Sequence, residues 1–267
     1  IDLAVSGRKK PDCPVNRWNY QPDGGGGEPN EIPGREIPHI RSNCPANLRT
    51  GGACFVSLFC GSCAVESKVQ GFSRKILNDK HAYLIAMLRG VQSGYELPEL
   101  ITPDQYQLIK AHKDWDPVLA GFVGFGCSFG GKWFGGYARN ATGTNYALQS
   151  KRSLLKDMAT LQNAEFVCGD YRHLGIPPGS VIYADPPYNN TTGYGGEVFD
   201  TAEFWRAMQL LADTGHAVFV SEQEAPPGIV CVWERPFTRT LDRNKSNQFK
   251  VTEKLFYLPP RRLEPCT

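Results

Sequence analysis

A chain of 267 residues is long enough for one large domain, or for a catalytic domain carrying a smaller insert. Its 41% hydrophobic content, with 14 Phe and 5 Trp, supplies a packed core, and no apolar run approaches the length of a membrane span. A formal net charge of +2 does not announce a nucleic-acid binder, so any basic surface must come from local clustering. The cysteine count of 9 is odd, which argues against a complete disulfide framework and for reduced thiols in a cytoplasmic setting. The opening Ile1-Asp2-Leu3-Ala4-Val5 gives way at once to polar residues and does not read as a signal peptide.

Residues 1–46 are rich in Pro, Gly, Asn and Arg and show no period of 2 or 3.6, so they are expected to be irregular. From about Asn47 the pattern alternates strand and helix. Cys54 to Phe59 reads as a buried strand, and Arg74 to Leu77 as a second that ends at Asn78-Asp79. Leu84, Ile85, Leu88 and Val91 follow at helical spacing, with Gly94 as a stop. The stretch 95–149 breaks the rhythm, with a helix starting at Thr102-Pro103 and a Gly- and aromatic-rich run from Gly121 to Tyr137. A helix from about Gln149 to Leu161 leads back. Further strands are predicted at Glu165–Cys168, Ser180–Ala184, Ala217–Val220 and Val251–Tyr257. A helix opened by Asp200, with Glu203 as its capping-box partner, closes near Gly215. Short apolar strands alternating with helices predict a mostly parallel sheet covered on both faces.

The motif that carries chemistry is Asp185-Pro186-Pro187-Tyr188, directly after the apolar run Val181-Ile182-Tyr183-Ala184. In open α/β sheets ligands bind at the carboxyl ends of strands, so a reactive loop belongs there. The prolines fix the backbone and remove two N–H donors, leaving carbonyl oxygens to face a substrate. A carboxylate and a carbonyl accepting both hydrogens of an adenine amino group would favour a pyramidal, more nucleophilic nitrogen. Asp185 and the Pro186 carbonyl suit that task, with Tyr188 stacking on the base.

Together with Phe55 to Ser62, Ile76 to Asp79, Gly121 to Arg139 and Val167 to Tyr171, this motif resembles the Dam-like adenine-N6 DNA methyltransferases, most closely their phage and prophage branch. The resemblance covers roughly Cys54 to Tyr257. It implies an α/β, Rossmann-like S-adenosylmethionine-dependent methyltransferase fold with a partly helical target-recognition insert. The catalytic domain would then comprise 47–94 and 150–260, with the insert at 95–149. S-adenosylmethionine would lie against Ser57, Phe59, Cys60 and Gly61, with Asp79 on its ribose and Asp170 and Tyr171 beside its adenine. The partner would be double-stranded DNA, with no metal and no membrane, in a role such as restriction-modification. In the family an acidic residue and Pro usually stand where this chain has Ser57 and Leu58, and Gly where it has Cys63. A Gly-Gly-Lys segment is usual upstream, where this chain has only Pro33-Gly34-Arg35-Glu36.

DNA contact is expected from Lys132, Trp133, Tyr137 and Arg139, which interleave cations and aromatics, and from Lys151 and Arg152. Arg239 and Arg243 are candidates for the same role, with a solvated edge as the alternative. Other readings stay open: cytosine-N4 or RNA methylation, a catalytically silent DNA-binding relative, and a thiol-disulfide oxidoreductase using Cys60-Gly61-Ser62-Cys63. Gly126 to Lys132 matches most of a phosphate-binding loop, but Trp133 stands where magnesium needs Ser or Thr.

Overall fold

The short apolar runs form strands whose successive side chains point to opposite faces, and both faces here are apolar. The structure, a computed structural model, describes residues 53–141, 143–187, 199–240 and 248–259. Its strands are β1 (Cys54–Ser57), β2 (Arg74–Asp79), β3 (Ala164–Cys168), β4 (Val181–Ala184), β5 (Ala217–Glu222), β6 (Val230–Thr240) and β7 (Gln248–Leu258). They form one sheet in the order β3-β2-β1-β4-β5-β7-β6. The pairs among β1 to β5 are parallel, and β7 lies antiparallel between β5 and β6. Strand order reverses direction between β1 and β4, the switch point at which such sheets open a crevice at their carboxyl edge. The architecture is the Rossmann-like α/β fold expected.

The helices are α1 (Ala82–Gln92), α2 (Pro103–Ala111), α3 (Pro117–Gly126), α4 (Tyr146–Met158) and α5 (Thr201–Asp213). Phe55, Leu77, Tyr183 and Phe219 enter one core with Leu84 and Leu88 of α1, Phe122 and Phe125 of α3, and Leu154 and Met158 of α4. Val56, Ile76, Ile182 and Val220 enter the other, against Phe204, Met208 and Ala212 of α5. The stretch read as an insert therefore places Ile101, Tyr106 and Phe122 in the same core as β1 and β2.

Several expectations need adjustment. The final insert helix starts earlier, at Tyr146, because the Asn145 side chain caps it by accepting the Leu148 N–H. Part of the Gly-rich run is helix α3, entered through Asp116 as N-cap and Pro117. Its glycines serve close packing: a Cβ on Gly121 would run into the Tyr83 carbonyl oxygen, and one on Gly124 into the Trp133 ring. Gly126 closes this helix and Cys127 to Lys132 follow it, rather than a strand, so the run lacks the strand-to-helix setting of a phosphate-binding loop. Asp200 does cap α5 through the Glu203 N–H, but the Glu203 carboxylate accepts from Arg172. Strand β6, with a bulge between Cys231 and Trp233, was not anticipated. Residues 1–46, with Pro33 to Glu36, lie outside the described residues, as do Tyr188 and Arg243.

Candidate active site

The carboxyl ends of the parallel strands bring the predicted segments to one edge. After β1 comes Leu58 to Cys63, after β2 Asp79, after β3 Gly169 to Tyr171, and after β4 Asp185. Asp185 is exposed directly beyond the fully buried Ala184, with Pro186 buried behind it.

Hydrogen bonds set the loop after β1 in place from three sides. Asp79 Oδ2 accepts the Gly61 N–H at 3.0 Å, and Oδ1 accepts the His81 N–H at 2.9 Å. Burial raises the Asp79 pKa, and these backbone donors oppose the rise. The buried Asn78 amide donates to the Leu58 carbonyl at 2.9 Å and to the Gly169 carbonyl at 3.1 Å, tying the loops after β1 and β3 together. Ser57, fully buried, donates its hydroxyl to Glu66 Oε1 at 2.6 Å. Glu66 is itself buried, and its pKa is pushed up to about 7 by loss of water, with the Ser57 hydroxyl opposing. A carboxylate thus meets position 57 from the short 3-10 turn Glu66–Lys68 rather than from the strand itself.

Gly61 has φ +47 and Cys63 φ +61, so the loop turns through the left-handed region at both. At Cys63 a non-glycine residue adopts a conformation that glycine takes at least cost. Nothing lies within 4 Å of where a Gly61 Cβ would sit, and the same is true of Gly169. Both backbones therefore face open space at the carboxyl edge. Phe59 packs against Tyr171 at 5.0 Å between ring centroids and against Phe199 at 6.1 Å. Burial pushes the Tyr171 hydroxyl up to about 12. Asp170 is clasped by Arg172 at 2.6 Å, and this pairing holds its carboxyl down at about 2. Arg172 also reaches Glu203 on α5 at 2.9 Å.

Cys60 and Cys63 are buried, and burial raises both thiols, Cys60 well above the ordinary range. A redox-active C-x-x-C needs the opposite, an accessible thiol of lowered pKa. The six described cysteines are free, and the described residues contain no group of three metal-ligating side chains. No described helix is long and apolar enough to cross a membrane.

The residues expected to meet DNA divide. Trp133 is half-buried in an aromatic cluster, 4.3 Å from His81 and stacked on Tyr83 at 5.1 Å. Tyr137 donates its hydroxyl to the Ile101 carbonyl at 2.7 Å, and Lys151 pairs with Glu99 at 3.1 Å, so both brace the 99–101 segment. Lys132, Arg139 and Arg152 are exposed. A cavity of about 330 Å³ lies at the opposite edge of the sheet, between the approaches to β2 and β3, lined by Phe72, Lys75 and Asn163 among others.

Sequence reasoning gave no role to His81, Asn78, Glu66 or Arg172. His81 caps α1, its Nδ1 accepting the Leu84 N–H at 3.3 Å, and burial brings its pKa down to about 4. The strand-end Asp79, two residues before it, is the signal in the sequence that points to it.

No curated protein matches the chain. Among solved structures, it is similar to one described as a "putative RNA methyltransferase" from Pyrococcus horikoshii, at 8% identity and TM-score 0.42, covering 91% of this chain and 89% of that one. It is also similar to the rRNA methyltransferase aviRa from Streptomyces viridochromogenes, at 11% identity and TM-score 0.38, covering 88% of each chain. Residues 35–114, which include β1, the loop after it, β2 and α1, match the family model of the D12 class N6 adenine-specific DNA methyltransferases, so over that stretch the chain is similar in sequence to the family its motifs resemble.

Proposed function

We propose that the protein transfers a methyl group from S-adenosylmethionine to the N6 amino group of adenine in duplex DNA. The observation that carries this reading is the gathering of the Phe59-Cys60-Gly61 loop, Asp79, Tyr171 and Asp185 along one sheet edge at a strand-order switch point, the first two of them within the stretch matched by the adenine-methyltransferase family model.

The residues fit the cofactor. Asp79 accepts the Gly61 N–H on one oxygen and the His81 N–H on the other, with the Lys80 N–H as a third donor, and the carboxylate keeps a lone pair for a ribose hydroxyl. The open space over Gly61 and Gly169 admits a ligand to van der Waals contact with the backbone. Phe59 and Tyr171 offer a ring surface for a planar base. When bound there, S-adenosylmethionine supplies an electrophilic methyl group. Asp185 and the Pro186 carbonyl accept the two amino hydrogens of adenine, which turns the nitrogen lone pair toward that methyl. The work of the chain is alignment and electrostatics. Reaching the amino group in a duplex requires the base to leave the stack.

The experiment is transfer of labelled methyl from S-adenosylmethionine to unmethylated duplex DNA, followed by nucleoside analysis. Label in N6-methyladenine is the expected result. Label in N4-methylcytosine, or only in RNA, would replace the target. Binding of DNA with no transfer and no cofactor uptake would make the chain a silent relative. The Asp185→Ala variant should lose transfer by at least about a thousandfold with an unchanged circular dichroism spectrum; retained activity removes Asp185 from its role.

A further inference from the structure

Strand β7 is longer than β5, one of the two strands it lies between. It pairs with β5 only over Lys254 to Leu258, whereas its pairing with β6 continues out to Gln248 opposite Thr240. Because β7 runs antiparallel to β5, residues 248–253 lie past the carboxyl end of β5. That is the same edge at which Asp185 follows β4, the other neighbour of β5. At about 3.4 Å per residue, these positions and their partners 235–240 form a two-stranded ribbon extending roughly 20 Å beyond the edge.

A ribbon of two strands builds no core and is marginal in water by itself, so its length needs a reason beyond stability. The bulge between Cys231 and Trp233 sits at its root, where an extra residue increases twist and re-aims the strand. Composition supplies a second observation. The two arms carry Arg235, Arg239 and Lys250 against the single carboxylate Glu253, in a chain whose formal net charge is only +2. The major groove of B-form DNA, about 12 Å wide, admits a two-stranded β-ribbon, and cations along such a ribbon neutralise the phosphates of the groove walls.

We infer that the β6–β7 ribbon is a DNA-docking element that enters a groove of the duplex beside the base presented to Asp185. This rests on the proposed action on DNA and adds the element that grips the duplex. The helical segment 95–149 then shares the duplex with a strand pair from the other end of the sheet.

The test measures binding of the full chain to a short, fluorescein-labelled, unmethylated duplex DNA by anisotropy between 50 and 200 mM salt. In one variant Asn-Gly replaces 236–252, which leaves Arg235 opposite Glu253 and the pairing of β7 with β5 in place. A second variant, Arg239→Gln with Lys250→Gln, keeps the backbone and removes two cations. The trimmed chain should bind DNA at least about tenfold more weakly, and the double variant should lower the salt slope by about 2. Calorimetric affinity for S-adenosylmethionine should stay within about twofold of the parent in both. Unchanged DNA affinity and salt slope overturn the inference, as does a loss confined to a duplex RNA of the same sequence. Should trimming abolish cooperative unfolding, the double variant decides. The outcome is separable from the proposed reaction: a chain that never transfers methyl can still lose DNA through these changes, and an active one can keep DNA despite them.

Discussion

Glu66 is a carboxyl group deprived of water, with the Ser57 hydroxyl on one oxygen and its own backbone carbonyl taking the Lys75 ammonium at 3.1 Å. Its folded pKa, about 7, is raised above the ordinary 4.5. The folded state therefore holds this proton more tightly than the unfolded chain. The contribution to stability is fully present below about pH 4.5 and is lost as pH rises through 7. The loss amounts to as much as roughly 3 kcal/mol. His81 works in the opposite sense: with its folded pKa brought down to about 4, its contribution is present above 6.5 and falls away as the medium is acidified. A Glu66→Gln variant, which keeps an acceptor for Ser57, isolates the first effect. The difference in thermal midpoint between variant and parent should grow in favour of the variant from pH 5 to pH 8. A difference that does not vary with pH would show that Glu66 does not titrate in that window. At Asp79 the expectation concerns binding. Asp79→Ala leaves the Gly61 and His81 N–H groups without their acceptor, and S-adenosylmethionine affinity should fall at least about tenfold by calorimetry. Unchanged affinity would remove Asp79 from the site.

Among the elements, α3 shows most plainly what sequence pattern could and could not reveal. Strands β1, β2, β4 and β5 and helix α1 were legible because continuous apolar runs and 3.6-residue spacing leave few alternatives. Helix α3 was not, because Gly121, Gly124 and Gly126 carry low helix propensity and mark the stretch only as a Gly- and aromatic-rich run. Tertiary packing overrides propensity there, since α1 and Trp133 approach so closely that no Cβ fits at Gly121 or Gly124. Gly121→Ala should therefore destabilise the protein by about 2 kcal/mol, even though alanine offsets up to about 1 kcal/mol through better helix propensity. Thermal unfolding would record a fall of several degrees, and a rise would mean that the approach of α1 and α3 is looser than the geometry states. Strand β6 escaped notice for a related reason: Glu234, Arg235 and Pro236 interrupt any apolar alternation, as befits a strand at the sheet edge. The candidate site was legible wherever a motif directly follows a parallel strand, as at Asp79 and Asp185. Its supports were not. Asn78, Glu66 and Arg172 act through partners 9 to 91 residues away, a distance that no local pattern encodes.

At the scale of the whole molecule, the sheet assigns the site to two consecutive parts of the chain. Everything that would hold the cofactor comes from residues up to Tyr171, on the β3-β2-β1 side. Asp185 and the β6–β7 ribbon come later, on the side of β4, β5, β7 and β6. Within the sheet the seam between the two parts is the parallel pairing of β1 with β4, flanked by the Arg172–Glu203 pair and the contact of Phe59 with Phe199. Between them runs the partly exposed link Leu174 to Gly179, which contains Pro177 and Pro178. A chain opened at that link should yield two polypeptides, each with one side of the seam and neither with a complete site. Co-expressed, they should find each other through the apolar surfaces that β1 and β4 share with the helices, and methyl transfer should appear only in the mixture. The reaction would then report the meeting of two separate molecules, a use that follows from nothing more than the order in which seven strands lie side by side.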